Sequence, residues 1–182
     1  MFSAPIRMFA LASLALVVSA CASSRSLDDS FSDIAGNADL KGVLFTDRSH
    51  DYGDVDITLF EGRLMLTGTM RTEKGRAKLI ENAWKADGVE QIIDEILIAD
   101  RTSLGQGLAD TRIDQTLKAK FIADGDVTST RYKVAVSRGV VYLIGAARDE
   151  DELKEAIALA DAVSGVKSVV SHVAIREPGD TQ

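Results

Sequence analysis

The segment Ile57–Glu73, ITLFEGRLMLTGTMRTE, returns 77 residues later as Val134–Glu150, VAVSRGVVYLIGAARDE. Each copy carries an alternating apolar run, a turn ending in Gly, a second apolar run, another Gly, and then Arg-x-Glu. Gly62 aligns with Gly139, Leu66 with Leu143, Gly68 with Gly145, Arg71 with Arg148 and Glu73 with Glu150. Without a gap, the same offset pairs Leu40, Lys41 and Asp47 with Leu117, Lys118 and Asp124. It also pairs Ile80, Ala83, Gly88, Val89 and Ile98 with Ile157, Ala160, Gly165, Val166 and Ile175. An ungapped register over about 60 residues implies a duplicated structural unit. A unit of that length buries only roughly 60% of the surface its unfolded chain exposes. The chain has 1 Cys, so no internal disulfide can reinforce it. Contact between the copies, or with a partner, is therefore expected to contribute to stability.

Each copy reads as helix, strand, strand, helix, strand. Leu40, Val43 and Leu44 share one face of an expected helix over Ala38–Phe45. In the second copy Ile113, Leu117 and Phe121 recur every fourth residue, with Thr111 as the expected N-cap. Val55, Ile57 and Leu59, then Leu64 and Leu66, alternate with other residues. Tyr132, Val134 and Val136, then Val141 and Leu143, repeat the pattern, so each strand buries one face. Glu61-Gly62 and Arg138-Gly139 fall where a tight hairpin needs positive φ. Thr72 and Asp149 are expected N-caps of the next helices, and Glu152 completes a capping-box pattern with Asp149. Gly88 and Gly165 are expected to stop those helices. The last strands, Val89–Ile98 and Val166–Ile175, do not alternate strictly, which implies a bulge or burial on both faces. Return from a helix to the same sheet implies a mixed sheet. The expected fold class is α+β: two tandem α-β-β-α-β repeats, each a three-stranded mixed sheet with two helices on one face.

The second copy has an additional apolar face. Val140, Tyr142 and Ile144 lie opposite Val141 and Leu143, where the first copy has Arg63, Met65 and Thr67. Such a face fits packing between the repeats or an external interface.

Residues 1–20 hold one charge, Arg7, and an apolar run, Met8–Val18, that is short for a membrane span. Small residues follow, as in a secretory signal. Val18-Ser19-Ala20-Cys21 resembles the bacterial lipobox, in which the Cys is acylated and becomes the mature N-terminus. A plain signal cleaved beside a Cys is the alternative, but it leaves the only cysteine of an exported protein without a use. Ala22 stands where an inner-membrane retention signal usually has Asp, which favours the periplasmic side of the outer membrane. Removing residues 1–20 takes the net charge from −7 to −8. Acidity and few aromatic residues argue against nucleic-acid binding. The expected organisation is a signal peptide over 1–20, lipidated Cys21 with a tether to 36, repeats over 37–98 and 114–175, a linker over 99–113 within which the second helix can begin, and a tail over 176–182.

Motifs for chemistry are missing from the sequence. The two histidines, His50 and His172, share no repeat position; Glu95 stands where the second copy has His172. No HExxH, Cys pair or acidic metal-binding loop occurs, and neither does a GxSxG or phosphate-loop pattern. Asp149 through Glu152 open a helix, where acidic residues favour the macrodipole. Arg71 and Arg148, with Glu73 and Glu150, read as turn salt bridges or solvated side chains. No catalytic residue, metal or cofactor is expected.

A lipobox followed by two such repeats, with Gly at each hairpin and at the end of each second strand, resembles the BON-domain proteins. BON stands for bacterial osmotically inducible and nodulation. Gly62, Gly68, Gly88, Gly139, Gly145 and Gly165 carry the likeness, and the layout is most similar to dual-BON outer-membrane lipoproteins. That resemblance implies a non-enzymatic role in phospholipid binding and envelope integrity. The alternative is an interaction scaffold for outer-membrane protein assembly, docking through the Val140 face. For lipid contact the second repeat is favoured. It has 8 basic against 9 acidic residues, whereas the first has 8 against 12. Lys118, Lys120, Arg131 and Lys133 cluster early in it beside Phe121 and Ile122. These six are the expected contacts with anionic phospholipid; the alternative is an ordinary solvated helix with Phe121 facing the core.

Overall fold

The computed structural model of the protein describes Gly42 and residues 50–176. Strands β1 (Val55–Phe60) and β2 (Arg63–Met70), helix α1 (Glu73–Ala83) and strand β3 (Gln91–Ile98) form the first repeat. The second begins with helix α2 (Leu104–Ala123) and a 3-10 turn (Ser129–Arg131). Strands β4 (Tyr132–Ser137) and β5 (Val140–Ala147), helix α3 (Glu150–Asp161) and strand β6 (Ser168–Ile175) complete it. The helix expected over Ala38–Phe45 lies outside the described residues except for Gly42, which is helical. The signal, Cys21 and the tether also lie outside them.

Both sheets are three-stranded and mixed, in the orders β1-β2-β3 and β4-β5-β6. The first two strands are antiparallel and the third is parallel to the second. Ile57 pairs with Leu66 and Val134 with Leu143, so the duplication extends to the pairing register. Each hairpin places both central residues at positive φ: Glu61 at 47° and Gly62 at 73°, Arg138 at 55° and Gly139 at 83°. Such mirror-image turns match the right-handed twist of the strands they join.

Gly68 and Gly145 have a different cause. A Cβ at Gly68 would collide with the Asp54 carbonyl oxygen, and one at Gly145 with that of Arg131. Gly68 also has φ of 107°, whereas Gly145 is not among the positive-φ residues. Close backbone approach is what Gly145 provides.

Thr72 Oγ1 accepts from Gly75 N at 3.1 Å, and Asp149 Oδ1 accepts from Glu152 N at 2.8 Å, as expected of N-caps. Two local expectations are corrected. Helix α2 starts inside the expected 99–113 linker, capped by Ser103 Oγ rather than Thr111; the Thr111 hydroxyl instead donates back to Gly107 O. Helices α1 and α3 end at Ala83 and Asp161, so Gly88 and Gly165 shape the turns into β3 and β6 rather than stopping the helices. As expected of turn or solvated side chains, Arg148 makes a salt bridge with Asp149 and Arg71 is exposed, while Glu73 pairs with Arg76.

Each repeat has its own core between sheet and helices: Leu64, Leu66, Leu79 and Ile96 in the first, Leu117, Phe121, Leu143 and Ala156 in the second. A third cluster joins the repeats. Phe60 and Met65 pack with Ala135, Tyr142, Ile144 and Ala146, bordered by Ile93, Val140 and Val170. The open faces of the two sheets therefore meet, each with its core on the far side. This explains the uneven pattern of the last strands: Ile92 joins the first core while Ile93 joins the shared cluster. The β2–β3 register is unbroken from Arg63↔Gln91 to Met70↔Ile98, with no bulge. The apolar face at Val140, Tyr142 and Ile144 is thus an interdomain surface, and scaffold docking through it is ruled out in this arrangement.

Candidate functional site

Two buried carboxylates fix the second repeat's helices. Asp110, on α2, accepts from Arg138 N and Gly139 N, both at 2.8 Å, and from Gln106 Nε2 at 2.8 Å. It ties α2 to the β4–β5 hairpin. Glu152, 1% exposed, accepts from Thr128 N and Arg148 N, both at 2.7 Å. Burial pushes its pKa up, but the Thr128 and Arg148 amides outweigh burial and hold it below the usual value. Gly75 occupies this position in the first repeat, so this clasp belongs to the second repeat alone.

With α2 held this way, its inner face presents Asp110, Ile113, Leu117 and Phe121. Its outer face presents Leu104, Leu108, Arg112, Gln115, Ala119 and Ile122, all exposed and spaced by three or four residues. Leu104 is 90% exposed, Leu108 72% and Ile122 75%. The stripe runs about 27 Å at 1.5 Å per residue. Lys118 lies beside Ile122, one turn back, and its ammonium reaches Asp114 Oδ1 at 2.8 Å.

Of the six expected lipid contacts, the structure groups only Lys118 and Ile122 on this outer face. Phe121 is 2% exposed and its ring meets Tyr132 at 5.5 Å, so it is a core residue and unavailable to a lipid surface. Its four-residue spacing from Ile113 and Leu117 places it on their side of the helix. Lys120 is half-buried on the flank, Arg131 lies in the 3-10 turn, and Lys133 is exposed on β4. Leu104, Leu108 and Arg112 were not anticipated, because their segment reads as linker around Gly105 and Gly107. Ser103 followed by Gln106, an S-x-x-Q capping box, was the available signal. Among the described residues, no helix is long and apolar enough to cross a membrane.

Residues 37–100 and 109–177 match the BON domain. The chain belongs to the BON-domain family. It is 32% identical to an uncharacterized protein of Anaplasma centrale over 126 residues, 69% of this chain and 83% of that one. It is 27% identical over 118 residues to the outer membrane lipoprotein DolP of Haemophilus influenzae, 65% of this chain and 61% of the relative. Osmotically-inducible protein Y of Escherichia coli is 29% identical over 139 residues, 75% of this chain and 69% of that protein.

Proposed function

We propose that this BON-family protein is an envelope lipoprotein, anchored through Cys21 on the periplasmic side of the outer membrane. It acts as a non-enzymatic module that contacts phospholipid and supports envelope integrity. Similarity to an outer membrane lipoprotein supports the location. The observation that carries the lipid reading is the outer face of α2, where three large apolar side chains stand exposed beside Arg112 and Lys118. A helix with its other face locked in a core can lie in the headgroup region on such a stripe.

The balance of terms differs from a purely basic patch. Full burial of one Leu or Ile contributes about 1.5–3 kcal/mol, whereas a cation near an anionic surface contributes about 1 kcal/mol. Partial burial of Leu104, Leu108 and Ile122 therefore outweighs Arg112 and Lys118, and salt screens only the smaller part. The anchor raises the local concentration, so weak contacts suffice.

Sedimentation of the protein without residues 1–21 with vesicles of anionic phospholipid tests this. Leu108→Glu with Ile122→Glu is expected to abolish binding. Reversal of Lys118, Lys120 and Lys133 to Glu is expected to weaken it and reduce its salt dependence. Unchanged binding by the Leu108 and Ile122 pair would remove α2 from the membrane surface.

A further inference from the structure

Asp110 joins α2 to the second repeat through both amides of the β4–β5 hairpin. Its Oδ2 accepts from Arg138 N and its Oδ1 from Gly139 N, each at 2.8 Å. The matching amides of the first repeat belong to Glu61 and Gly62, likewise at positive φ. Neither has a hydrogen-bond acceptor among the described residues. Helix α1 lies on β2 and β3 as α3 lies on β5 and β6, and α2 lies on β4. The counterpart of α2, over β1, falls in sequence outside the described residues.

The duplication names that counterpart. Carried upstream without a gap, the 77-residue offset sets Ser26 on the capping Ser103, Leu27 on Leu104 and Asp33 on Asp110. Asp33, Gly36, Leu40 and Leu44 then take the positions of Asp110, Ile113, Leu117 and Phe121, the inner face of α2. Gly42 is the one described residue of this stretch. It is helical and exposed, and its counterpart Ala119 is exposed on the outer face of α2. We propose that residues 26–46 dock over β1 as α2 docks over β4, with the Asp33 carboxylate accepting from Glu61 N and Gly62 N. An ionised acceptor makes the stronger kind of hydrogen bond, and two donors fix its orientation. Gly36 in place of Ile113 removes an apolar contact from the inner face, so the polar clasp carries more of the docking. The Glu61 carboxylate does not oppose Asp33, because Arg176 holds it at 2.7 Å, and Glu90 is exposed to screening by solvent. On this assignment the fold begins at Ser26, inside the stretch that composition alone reads as tether. The docking uses only the first repeat and is independent of lipid contact through α2.

The test is amide hydrogen exchange on the full chain in detergent micelles, read at 61 and 62 and at 138 and 139 in the same molecule. Glu61 and Gly62 are expected to exchange slowly, as Arg138 and Gly139 do beneath Asp110. Asp33→Ala is expected to speed exchange at 61 and 62 by about tenfold or more, as loss of a charge-assisted bond implies. The amides of 138 and 139 are expected to keep their protection in that variant. The measurement on the unaltered protein stands whatever the substitution does to folding. Fast exchange at 61 and 62 in the unaltered protein, or protection there that survives Asp33→Ala, would each overturn the proposal.

Discussion

Glu95 Oε1 lies 2.8 Å from His172 Nε2, and the two residues hold the same position in the two repeats, 77 residues apart. A residue meeting its own counterpart across an interface marks a self-complementary arrangement, as in a two-fold dimer. The sheets thus pack like the subunits of a homodimer joined into one chain, with Phe60 and Met65 on one side and Tyr142 and Ile144 on the other. The repeats share this face, and it leaves the outer surface of α2 uncovered for other work.

Arg63 is the polar key of that face. Its Nη1 donates to His172 O at 2.9 Å and its Nη2 to Gly145 O at 2.7 Å. Burial lowers its pKa, yet it stays far above any working pH and remains charged. Arg63→Ala removes two charge-assisted bonds between the repeats. A loss of about 2–3 kcal/mol is expected in urea unfolding of the two-repeat protein. A loss below half a kilocalorie would mean that the apolar cluster alone holds the sheets together.

Glu152 gives the protein an acid limit. Its pKa in the folded state is lowered from 4.5, so its contribution is complete above the unfolded value and fades as pH falls through the folded one. Glu152→Gln leaves either the Thr128 or the Arg148 amide without a good acceptor, costing about 1–3 kcal/mol at pH 7. The gap between variant and parent is expected to narrow steadily below about pH 4.5. A gap independent of pH, measured by thermal unfolding across that range, would assign the loss to packing instead.

The duplication, strand order and core were legible because Gly and apolar positions repeat in register, and each has a local cause. Ile57 and Leu66 show their burial by alternation; Glu61-Gly62 shows its turn by chemistry. Glu152 read only as a capping residue, since its bond to Thr128 N closes a contact 24 residues away that no local pattern encodes. The start of helix α2 is less legible for the opposite reason. Gly105 and Gly107 leave its place within the linker open, and the first turns carry Leu104 and Leu108. Phe121 follows the helix phase visible at Ile113 and Leu117 and faces the core, the alternative that its neighbouring lysines left open.

Gly145 tests close approach in isolation from φ. Any Cβ there drives into the Arg131 carbonyl at the point where β4 leaves the 3-10 turn. Gly145→Val is expected to cost about 4 kcal/mol or more, an effect at the extreme of single substitutions. Gly145→Ala should follow closely, because the clash begins at the first carbon. If Ala were tolerated in chemical denaturation while Val was not, β-branching rather than the Cβ would be the cause.

Cys21→Ser tests the anchor directly. Each buried methylene of an acyl chain contributes about 0.8 kcal/mol, so two or more chains hold a protein firmly. The variant is expected to stay unprocessed at this site or to be released in soluble form on cell fractionation. Recovery with the outer membrane unchanged would show that lipidation is not what retains the protein.

Separating the repeats puts the interface and the lipid surface in opposition. A fragment from Ser103 to Gln182 keeps its own core, built on Leu117, Phe121, Leu143 and Ala156. It also keeps the Asp110 and Glu152 clasps, so a cooperative unfolding transition is expected. It exposes Tyr142 and Ile144, which are 3% and 0% exposed in the intact chain. The interface is already self-complementary, and in a pair of second repeats Val140 would replace Arg63. The fragment is therefore expected to dimerise through β5, and Ile144→Lys to keep it monomeric in analytical ultracentrifugation. Because α2 presents its stripe away from that face, both forms should bind anionic vesicles through Leu108 and Ile122. Vesicle binding lost with Ile144→Lys, in a fragment that still unfolds cooperatively, would place the lipid contact on the sheet and not on α2.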